Sequence, residues 1–468
     1  MTMAIAGALS GCAGFSPDGG MNVAASIAAQ ELDKNTVAIR TPEDATSARN
    51  RVEQLLKRPL TADAAVQIAL LNNRGLQAAY NELGIAEAAM VQASLPPNPS
   101  FSFSRIEGSQ SVIEATIAAD ILALATLPAR AEIAADQFRA AQLAAAEETL
   151  RVAADTRRNY YRAVAARELA GFLTQANSAA ETAAKLAKRL GETGAMNKLD
   201  QARDQVFYAD LTTQLASARQ LAASERERLI ESLGLWGGDL DFSLANALPA
   251  LPARPRALPE VEQDAVSRRV DLEIARIELE ALAKSYGLTN ATRFVNLFQL
   301  SGIYNHTRES VGAGIDVFRA FGPSATVEIP IFDFGEVRVR QAGQIYVQVV
   351  NRLAEKAVNV RSEARDAYRV YRSTYDIARH YQREILPLRK IISDETLLRY
   401  NAMLIDVFTV LAEARQRILA TIAAIEAKRD FWIANTDLQV AIVGGGGARP
   451  MDEKSKTRTI AGAGGDGQ

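Results

Sequence analysis

Cysteine and histidine are nearly absent from this chain of 468 residues, which contains one cysteine and two histidines. A single cysteine cannot form a disulfide within the chain, and so few sulfur and imidazole ligands exclude a zinc site of the Cys/His type. Aromatic residues make up only 6% of the sequence, and the hydrophobic fraction of 48% depends strongly on alanine. This composition favours closely packed helices that bury little area per residue.

Long uncharged apolar runs are also missing. No segment after the N-terminus reaches the roughly 18 apolar residues that a membrane-spanning helix requires. The formal net charge is only −2, so the overall balance does not suggest a nucleic-acid partner. No nucleophile, metal or phosphate motif indicates an enzyme. The segment Val311-Gly312-Ala313-Gly314, for example, lacks the further glycine and the lysine of a nucleotide loop. We therefore expect no catalytic, cofactor or metal site.

The lone cysteine lies in Leu9-Ser10-Gly11-Cys12, after a short stretch of small and apolar residues. This pattern resembles a bacterial lipobox, in which small residues admit a signal peptidase and the cysteine becomes the lipidated first residue. We expect residues 1–11 to be a lipoprotein signal peptide and Cys12 to be lipidated, although residues 1–11 carry no Lys or Arg. The alternative is a chance cysteine in a disordered N-terminus.

Part of the sequence occurs twice. Gly194-Ala195-Met196 followed by Leu199-Asp200 is repeated about 207 positions later as Asn401-Ala402-Met403 followed by Ile405-Asp406, with one residue fewer. Each copy lies between a long, alanine-rich helical stretch and a somewhat shorter one, which indicates a tandem duplication. Within each unit the pattern predicts a short helix, two strands, a very long helix, a sharp turn and a helix.

Between the two units lies a segment rich in proline, which cannot continue a helix and favours an extended backbone. The sequence therefore predicts the following organisation: an extended N-terminal segment at 12–59, a first structural repeat at 60–247, a proline-rich linker at 248–259, a second structural repeat at 260–443, and a disordered tail at 444–468.

Four candidate strands lie around residues 100–105, 112–121, 294–305 and 324–332. Several alternate apolar and polar residues with the period of two that is typical of a sheet with one wet face. A small sheet in a soluble protein fits these strings equally well. Four strands of roughly 10 residues cannot close a membrane barrel alone, because bacterial barrels have at least about 8 strands. Three chains would supply twelve.

The helical stretches also require a partner. The run from about 130 to 193 contains no proline and would span on the order of 95 Å as a helix. The second, from about 337 to 400, is interrupted only by Gly343 and Pro387. Such helices have no globular core to lie on, and their small apolar residues suit a bundle or coiled coil.

Several segments carry a family resemblance. Leu60-Thr61-Ala62-Asp63-Ala64-Ala65, with Ala69-Leu70-Leu71-Asn72-Asn73, resembles the first-helix signature of the TolC-type outer-membrane efflux proteins, in particular their lipoprotein branch. Leu95-Pro96-Pro97-Asn98-Pro99 resembles that family's entry to the first strand, and Pro330-Ile331-Phe332-Asp333-Phe334-Gly335 resembles its exit from the last strand. The tip sequences and Leu233-Gly234-Leu235 also fit. The resemblance covers roughly residues 55 to 442.

The resemblance implies a homotrimer with a twelve-stranded β-barrel in the outer membrane and an α-helical tunnel through the periplasm, closed at its inner tip. It also implies a periplasmic adaptor (membrane fusion) protein and an inner-membrane pump as partners, outer-membrane lipid around the barrel, and no cofactor. The chain would be the passive exit duct, while cargo choice belongs largely to the pump. A periplasmic coiled-coil lipoprotein with a scaffold or adaptor role is the alternative, but such an adaptor has one hairpin and this chain has two.

Within this reading the helical turns contain the candidate functional residues. Asp406 falls where the family has acidic residues lining the closed tip, and Asp200 is its counterpart in the first unit. We expect Arg399, Tyr400, Arg203 and Asp204 to form the pairs that hold this gate shut. The alternative is that Asp200 and Asp406 are solvated carboxylates that favour a helix N-terminus. The residues expected to contact the adaptor are Gly194, Ala195, Met196, Asn401, Ala402 and Met403.

Two further residue types have an alternative role as metal ligands. Met196 and Met403 could act as soft ligands for copper or silver, but methionines near a turn are more often hydrophobic contacts. We expect His306 to lie in a loop between strands and His380 to be a surface residue of the long helix.

Overall fold

The computed structural model describes residues 14–446 apart from 109, 312 and 313. The predicted signal peptide, Cys12 and residues 447–468 of the predicted tail therefore lie outside the described residues. The described chain is mostly helical with one small sheet, as the sequence predicts. Among these residues, no helix combines the length and the apolar character needed to cross a membrane.

The helices follow one another as α1 (Asn22–Ile27), α2 (Pro42–Leu56), α3 (Ala62–Asn72), α4 (Arg74–Ser94), α5 (Ile121–Ala125), α6 (Leu127–Glu192), α7 (Lys198–Leu233), α8 (Val261–Arg268), α9 (Val270–Ala291), α10 (Glu336–His380), α11 (Leu386–Asn401) and α12 (Val407–Val443). The strands are β1 (Ser100–Glu107), β2 (Gln110–Asp120), β3 (Leu297–Val311) and β4 (Gly314–Glu328). Each half of the chain thus contributes one strand pair followed by a long helix.

The chain forms two compact units. The first consists of residues 14–23 with Tyr80–Ala145 and Leu272–Ala357, and it contains the sheet. The four strands form an antiparallel meander in the order β1-β2-β3-β4. β3 and β4 are each 15 residues long, and β4 begins ten residues before the predicted strand. Gly322-Pro323 interrupts the strand pattern in the sequence, but proline is tolerated in β4 because, within the described chain, β4 has a neighbouring strand on one side only.

The two faces of the sheet differ in polarity. Cross-strand partners share a face, and the register places Phe101 beside Ile117, and Phe103 on the same face as Tyr304 and Phe321. We call this the apolar face. The opposite, polar face contains Ser100, Ser102, Ser104, Glu114, Thr116, Ser301 and Asn305. Phe101 is 71% exposed and Phe321 is 80% exposed, so the described residues of this chain leave the apolar face uncovered.

The second unit consists of Ala24–Ala79, Ala146–Asp271 and residues from Val358 to 446, and it contains both helical turns. Along α7 one set of buried positions is separated by three, four or seven residues; it contains Asp204, Leu211, Leu215, Ala218, Glu225 and Leu229. On α6 the buried residues Leu173, Ala180, Ala184 and Ala187 follow the same spacing. This is the seam of an antiparallel coiled coil, and small residues let its helices approach closely.

An aromatic cluster forms the core farther from the turns. Phe431 of α12 is fully buried and contacts the rings of Tyr371 and Tyr375 of α10, with ring centroids 5.6 Å apart in both pairs. Trp432 stacks on Tyr161 of α6 at 5.4 Å. Burial raises the pKa of Tyr161 to about 12, so this phenol stays neutral at physiological pH.

The proline-rich linker is held along this core by side chains. The Tyr375 hydroxyl donates to the carbonyls of Pro252 (3.0 Å) and Ala253 (3.1 Å). Trp432 Nε1 donates to the carbonyl of Pro249 at 3.1 Å. Because prolines offer no N–H and the segment is extended, these helix side chains supply the hydrogen bonds that regular structure cannot.

The predicted extended segment at 12–59 is wrong in part, because it contains the helices α1 and α2. Residues 34–40, between these helices, are extended and are held in the same manner as the linker. Buried Gln67 donates to the carbonyl of Asn35 and accepts from its N–H, and Gln77 does so between Val37 and Ile39. A buried glutamine amide matches the donor and acceptor of an extended backbone. Both extended segments are therefore packed parts of the second unit.

The second long helix is interrupted near Pro387. α10 ends at His380, a π-turn follows at Tyr381–Ile385, and α11 begins at Leu386. Proline lacks an N–H and its ring clashes with the carbonyl four residues earlier, and a wider turn accommodates both effects.

The expected position of His306 is wrong. His306 lies inside β3 rather than in a loop, because β3 continues six residues beyond the predicted strand.

Candidate functional site

The first helical turn joins α6 to α7 and depends on a glycine. Gly194 has a φ of +74°, in the left-handed region that glycine occupies without steric cost. The N–H of Ala195 donates to the carbonyl of Leu190 at 2.8 Å, and the N–H of Gly194 donates to that of Gly191 at 3.1 Å. These two hydrogen bonds satisfy carbonyls at the end of α6. Asn197 then caps α7, since its side chain accepts from the N–H of Asp200.

The second turn joins α11 to α12 and has the same backbone with different residues. Met403 has a φ of +59° and the N–H of Leu404 donates to the carbonyl of Arg399 at 2.9 Å. The N–H of Met403 donates to the carbonyl of Tyr400 at 2.9 Å. Asp406 caps α12 by accepting from the N–H of Thr409 at 3.0 Å.

The two turns therefore match in a different register from the sequence repeat. Gly194 and Met403 occupy the same backbone position, 209 residues apart, and the same offset relates Asn197 to Asp406. The predicted match of Gly194-Ala195-Met196 with Asn401-Ala402-Met403 is wrong by two residues. Consequently Asp200, at the third position of its helix, is not the counterpart of Asp406.

Asp406 is an exposed carboxylate with defined partners. Hydrogen bonds from the Thr409 hydroxyl, at 2.6 Å, and from the Thr409 N–H lower the pKa of Asp406 below its usual range, and the charge of Arg203 lowers it further. Asp406 is therefore ionised at any physiological pH. Asp406 is thus a solvated N-cap of α12 and, at the same time, a negative charge beside the second turn.

Arg203 connects the two hairpins. Its guanidinium lies over the ring of Phe408 on α12, 4.2 Å from the centroid. Four residues farther along α7 and seven farther along α12 the reverse arrangement occurs: Arg415 of α12 lies 5.7 Å from the ring of Phe207 on α7. Arg415 also pairs with Asp210 at 3.2 Å. These cation–π contacts flank a groove of about 400 Å³ between α7 and α12.

Asp204 lies in the coiled-coil seam rather than in a gate pair. Its side chain is 5% exposed, and its Oδ1 has no hydrogen-bond partner. Burial raises the pKa of Asp204, and the charge of Asp200 one turn earlier raises it further. Within the described part of this chain Asp204 forms no ion pair. The predicted pair between Asp204 and a gate residue is therefore not formed within a single chain.

The remaining predicted residues are at the surface. Arg399 and Tyr400 are exposed, and the hydrogen bonds they contribute to the second turn come from their backbone carbonyls. Among the residues expected to contact an adaptor, Gly194, Ala195, Asn401 and Ala402 are exposed, Met196 is half-buried, and Met403 is 92% exposed. No group of three or more His, Cys, Asp or Glu side chains in the described ranges could hold a metal ion.

Sequence reasoning missed several residues of the tips. Phe207, Phe408 and Arg415 take part in the contacts between hairpins, and Thr409 orients Asp406. Asn197 could have been found, since asparagine directly before a helical run is a strong N-cap signal. The aromatic–arginine pairs could not, because they join positions about 205 residues apart.

Comparisons with known proteins point in one direction. No protein-family model matches the chain. The cobalt-zinc-cadmium resistance protein CzcC of Cupriavidus metallidurans is 25% identical over 313 residues, which cover 64% of this chain and 68% of that protein. The crystal structure of CusC matches with a TM-score of 0.68 and 18% identity, covering 84% of this chain and 92% of that one.

The outer-membrane channel OprN matches with a TM-score of 0.66 and 18% identity, covering 90% of this chain and 95% of that one. Both matches cover more than four fifths of each chain, and they show the fold. The resemblance predicted from the sequence is thereby confirmed, and the chain has the fold of the TolC-type outer-membrane efflux proteins.

Proposed function

We propose that this chain is the outer-membrane channel of a tripartite efflux system, a passive exit duct for substrates expelled by an inner-membrane pump through a periplasmic adaptor. The observation that carries this proposal is the sheet. It exposes one apolar and one polar face, and among the described residues its edge strands β1 and β4 have a neighbouring strand on one side only. That is the pattern of a barrel wall between lipid and an aqueous lumen.

Closure of the barrel by three copies supports a homotrimer. Four strands leave backbone donors and acceptors unpaired at β1 and β4, and lipid cannot satisfy them. Joining β4 of one copy to β1 of the next gives a twelve-stranded barrel with no edges. Aromatic side chains lie on both sides of the apolar rows: Phe103, Tyr304 and Phe321 toward the hairpin ends, and Phe294, Phe332 and Phe334 toward the helices. Aromatic girdles at both interfaces are typical of such barrels.

The helices supply a second argument for oligomerisation. α11 has no buried residue, although Leu388, Ile391 and Leu398 lie on one of its faces and are 58%, 58% and 62% exposed. An apolar stripe of this kind packs against another helix when one is available. A neighbouring copy in a periplasmic helical tunnel would cover it.

At the closed end of that tunnel, three copies of Asp406 would face one another. We assign the narrowest aperture to Asp406, with Asp200 close by, and the contacts that hold it shut to Arg203, Arg399 and Tyr400. Within one chain the hydrogen bonds from Thr409 and the charge of Arg203 already lower the pKa of Asp406. Asp204 would act from inside the seam by weakening the packing of α7 on α6.

The exposed turn residues Gly194, Ala195, Met196, Asn401, Ala402 and Met403 form the surface that an adaptor would contact. Cys12 would be lipidated, which anchors the N-terminus to the outer membrane, and the described helices would extend into the periplasm. The name of the relative CzcC makes divalent metal ions one cargo class to test.

The channel is tested by reconstituting the purified protein in planar lipid bilayers and by measuring its mass in detergent. We expect the mass of a trimer together with small, cation-selective and mostly closed conductance. A monomer without conductance would overturn the proposal and favour a periplasmic scaffold.

The gate is tested by two substitutions at one position. Asp406→Asn keeps an N-cap acceptor but removes the charge, whereas Asp406→Ala removes both. If charge sets the aperture, both variants lose cation selectivity and block by divalent cations to a similar extent. If only the cap matters, Asp406→Ala alone changes the channel. Asp394→Asn, at an exposed carboxylate of α11 away from the turn, is the matched control.

A further inference from the structure

One region of the apolar face carries basic side chains. The register places Arg105 of β1 in one cross-strand row with His306 of β3 and Arg319 of β4. Arg308 follows two residues after His306 on β3 and therefore shares its face. We call these four residues the basic row. Such a concentration of positive charge on an apolar surface calls for a specific counterpart.

The basic row directly borders the apolar surface. The adjacent cross-strand row on the side of the helices contains Phe103, Tyr304 and Phe321. On the apolar face, β3 advances six residues from Phe298 to Tyr304, which corresponds to about 20 Å at 3.3 Å per residue. We call the cross-strand rows along this length the apolar rows. If the apolar face contacts lipid tails, as in the proposed function on which this inference rests, the basic row lies at the level of the headgroups.

The charges of the basic row are only partly compensated. Arg105 pairs with Glu107, while Arg319 forms no ion pair among the residues that the structure describes. The acidic residues Glu114, Glu309 and Asp316 lie on the opposite face of the sheet. Three guanidinium groups thus face outward with one carboxylate beside them.

His306 adds a polar atom without a partner. Arg308 Nε donates to His306 Nε2 at 3.2 Å. His306 is 8% exposed, and its Nδ1 has no hydrogen-bond partner among the residues that the structure describes. Buried polar atoms in native structures are nearly always hydrogen-bonded, so an unpartnered one indicates that another molecule completes the site.

We propose that the basic row binds the phosphate groups of anionic lipid headgroups in the leaflet that surrounds the hairpin ends of the sheet. Guanidinium groups bind phosphate oxygens in a bidentate manner, and the apolar rows next to them would hold the acyl chains of the same lipid. An occupant with both parts explains why charge and exposed aromatic rings are adjacent. A soluble anion would bind the arginines but would not contact the aromatic row.

The test measures lipid binding to the detergent-purified, full-length protein by native mass spectrometry. Phosphatidylglycerol and phosphatidylcholine are titrated in parallel, since both carry phosphate but only the first has a net negative charge. The test variant is Arg105→Gln with Arg319→Gln. At about 1 kcal/mol for each basic side chain, we expect about 30-fold weaker phosphatidylglycerol binding. Arg105→Lys with Arg319→Lys keeps the positive charge but loses the bidentate contacts, so its phosphatidylglycerol binding should lie between that of the wild type and that of the Gln variant.

The matched control is Arg340→Gln, which removes an exposed arginine of α10 that pairs with Glu336 and should leave lipid binding unchanged. Equal phosphatidylglycerol binding by the wild type and the Gln variant would overturn the proposal. So would equal binding of the two lipids, or displacement of the lipid by inorganic phosphate at constant ionic strength. Trimer mass and conductance are recorded for every variant, so failure of the channel itself is recognised separately.

Discussion

Asp204 gives the sharpest prediction, because it places a carboxylate in the seam between α6 and α7. Its side chain is 5% exposed and Oδ1 has no hydrogen-bond partner. On α6 the seam near the turn consists of Ala180, Ala184 and Ala187, all buried. We predict that Asp204→Ala stabilises the first hairpin, since alanine matches the small residues that line this seam.

The expected stabilisation by Asp204→Ala has two favourable contributions and one unfavourable one. An unsatisfied buried polar group costs about 1–3 kcal/mol, and alanine exceeds aspartate in helix propensity by about 0.5 kcal/mol. The cavity left by so small a side chain offsets part of this gain. We expect a net stabilisation of about 2 kcal/mol, which lowers the local opening equilibrium of the hairpin about 30-fold.

Native-state hydrogen exchange on peptides covering residues 184–207 measures this opening directly, with peptides from the sheet as an internal reference. The effect should depend on pH. Because burial raises the pKa of Asp204 in the folded hairpin above the ordinary value of 3.8, the protonated form favours folding. Stability from this group is complete below the unfolded pKa and is lost as pH rises through the folded pKa. The gain from Asp204→Ala should therefore be largest at neutral pH and shrink in acid.

Asp204→Asn separates charge from shape. The amide stays buried but carries no charge, so its stability should lie between those of the other two proteins and should not vary with pH across the titration of the carboxyl. Unchanged or faster exchange in Asp204→Ala at neutral pH would refute the view that this carboxylate weakens the seam. That result would instead indicate a partner from another chain.

Three further predictions concern the backbone and the linker. Met403→Gly should stabilise the second turn and Gly194→Met should destabilise the first, each by about 1 kcal/mol, because both positions have positive φ; equal thermal midpoints for both variants and the wild type would contradict this. Gly234→Ala should lower stability by more than about 1 kcal/mol in chemical denaturation, since its φ is +66° and the new Cβ would lie 2.9 Å from the carbonyl oxygen of Asn72. Tyr375→Phe should lower the free energy of unfolding by about 1–2 kcal/mol, because the linker carbonyls of Pro252 and Ala253 lose their donor. Tyr368→Phe should lower it less, because it loses only a 3.4 Å contact with the N–H of Leu258.

The sequence predicted the helices and the order of elements well, because their signals are local and repeated. Alanine-rich runs without proline predicted α6 and α7, and the linker prolines indicated where one half ends. The ends of β3 and β4 could not be predicted in this way. Gly322-Pro323 is typical of a strand breaker, and the sequence does not show that β3 is the one strand that pairs with β4 within the described chain.

The candidate site shows a different limit. Identical letters suggested that Asp200 matches Asp406, but the hydrogen bonds and the positive φ values match Asn197 to Asp406. A tight turn constrains its backbone more strongly than its side chains, so glycine and methionine can occupy one position. The burial of Asp204 was also beyond the sequence, since a charged residue in a helix ordinarily faces solvent.

The linker has a consequence for how such a chain evolves. Its carbonyls are engaged by side chains of the second repeat, and the N–H of Leu248 donates to Glu168 of the first repeat at 2.7 Å. The connection is thus built into the fold, so every copy of the chain contains both hairpins in equal numbers. The two turns therefore need not be interchangeable, and each has its own residues: glycine and asparagine in one, methionine and aspartate in the other.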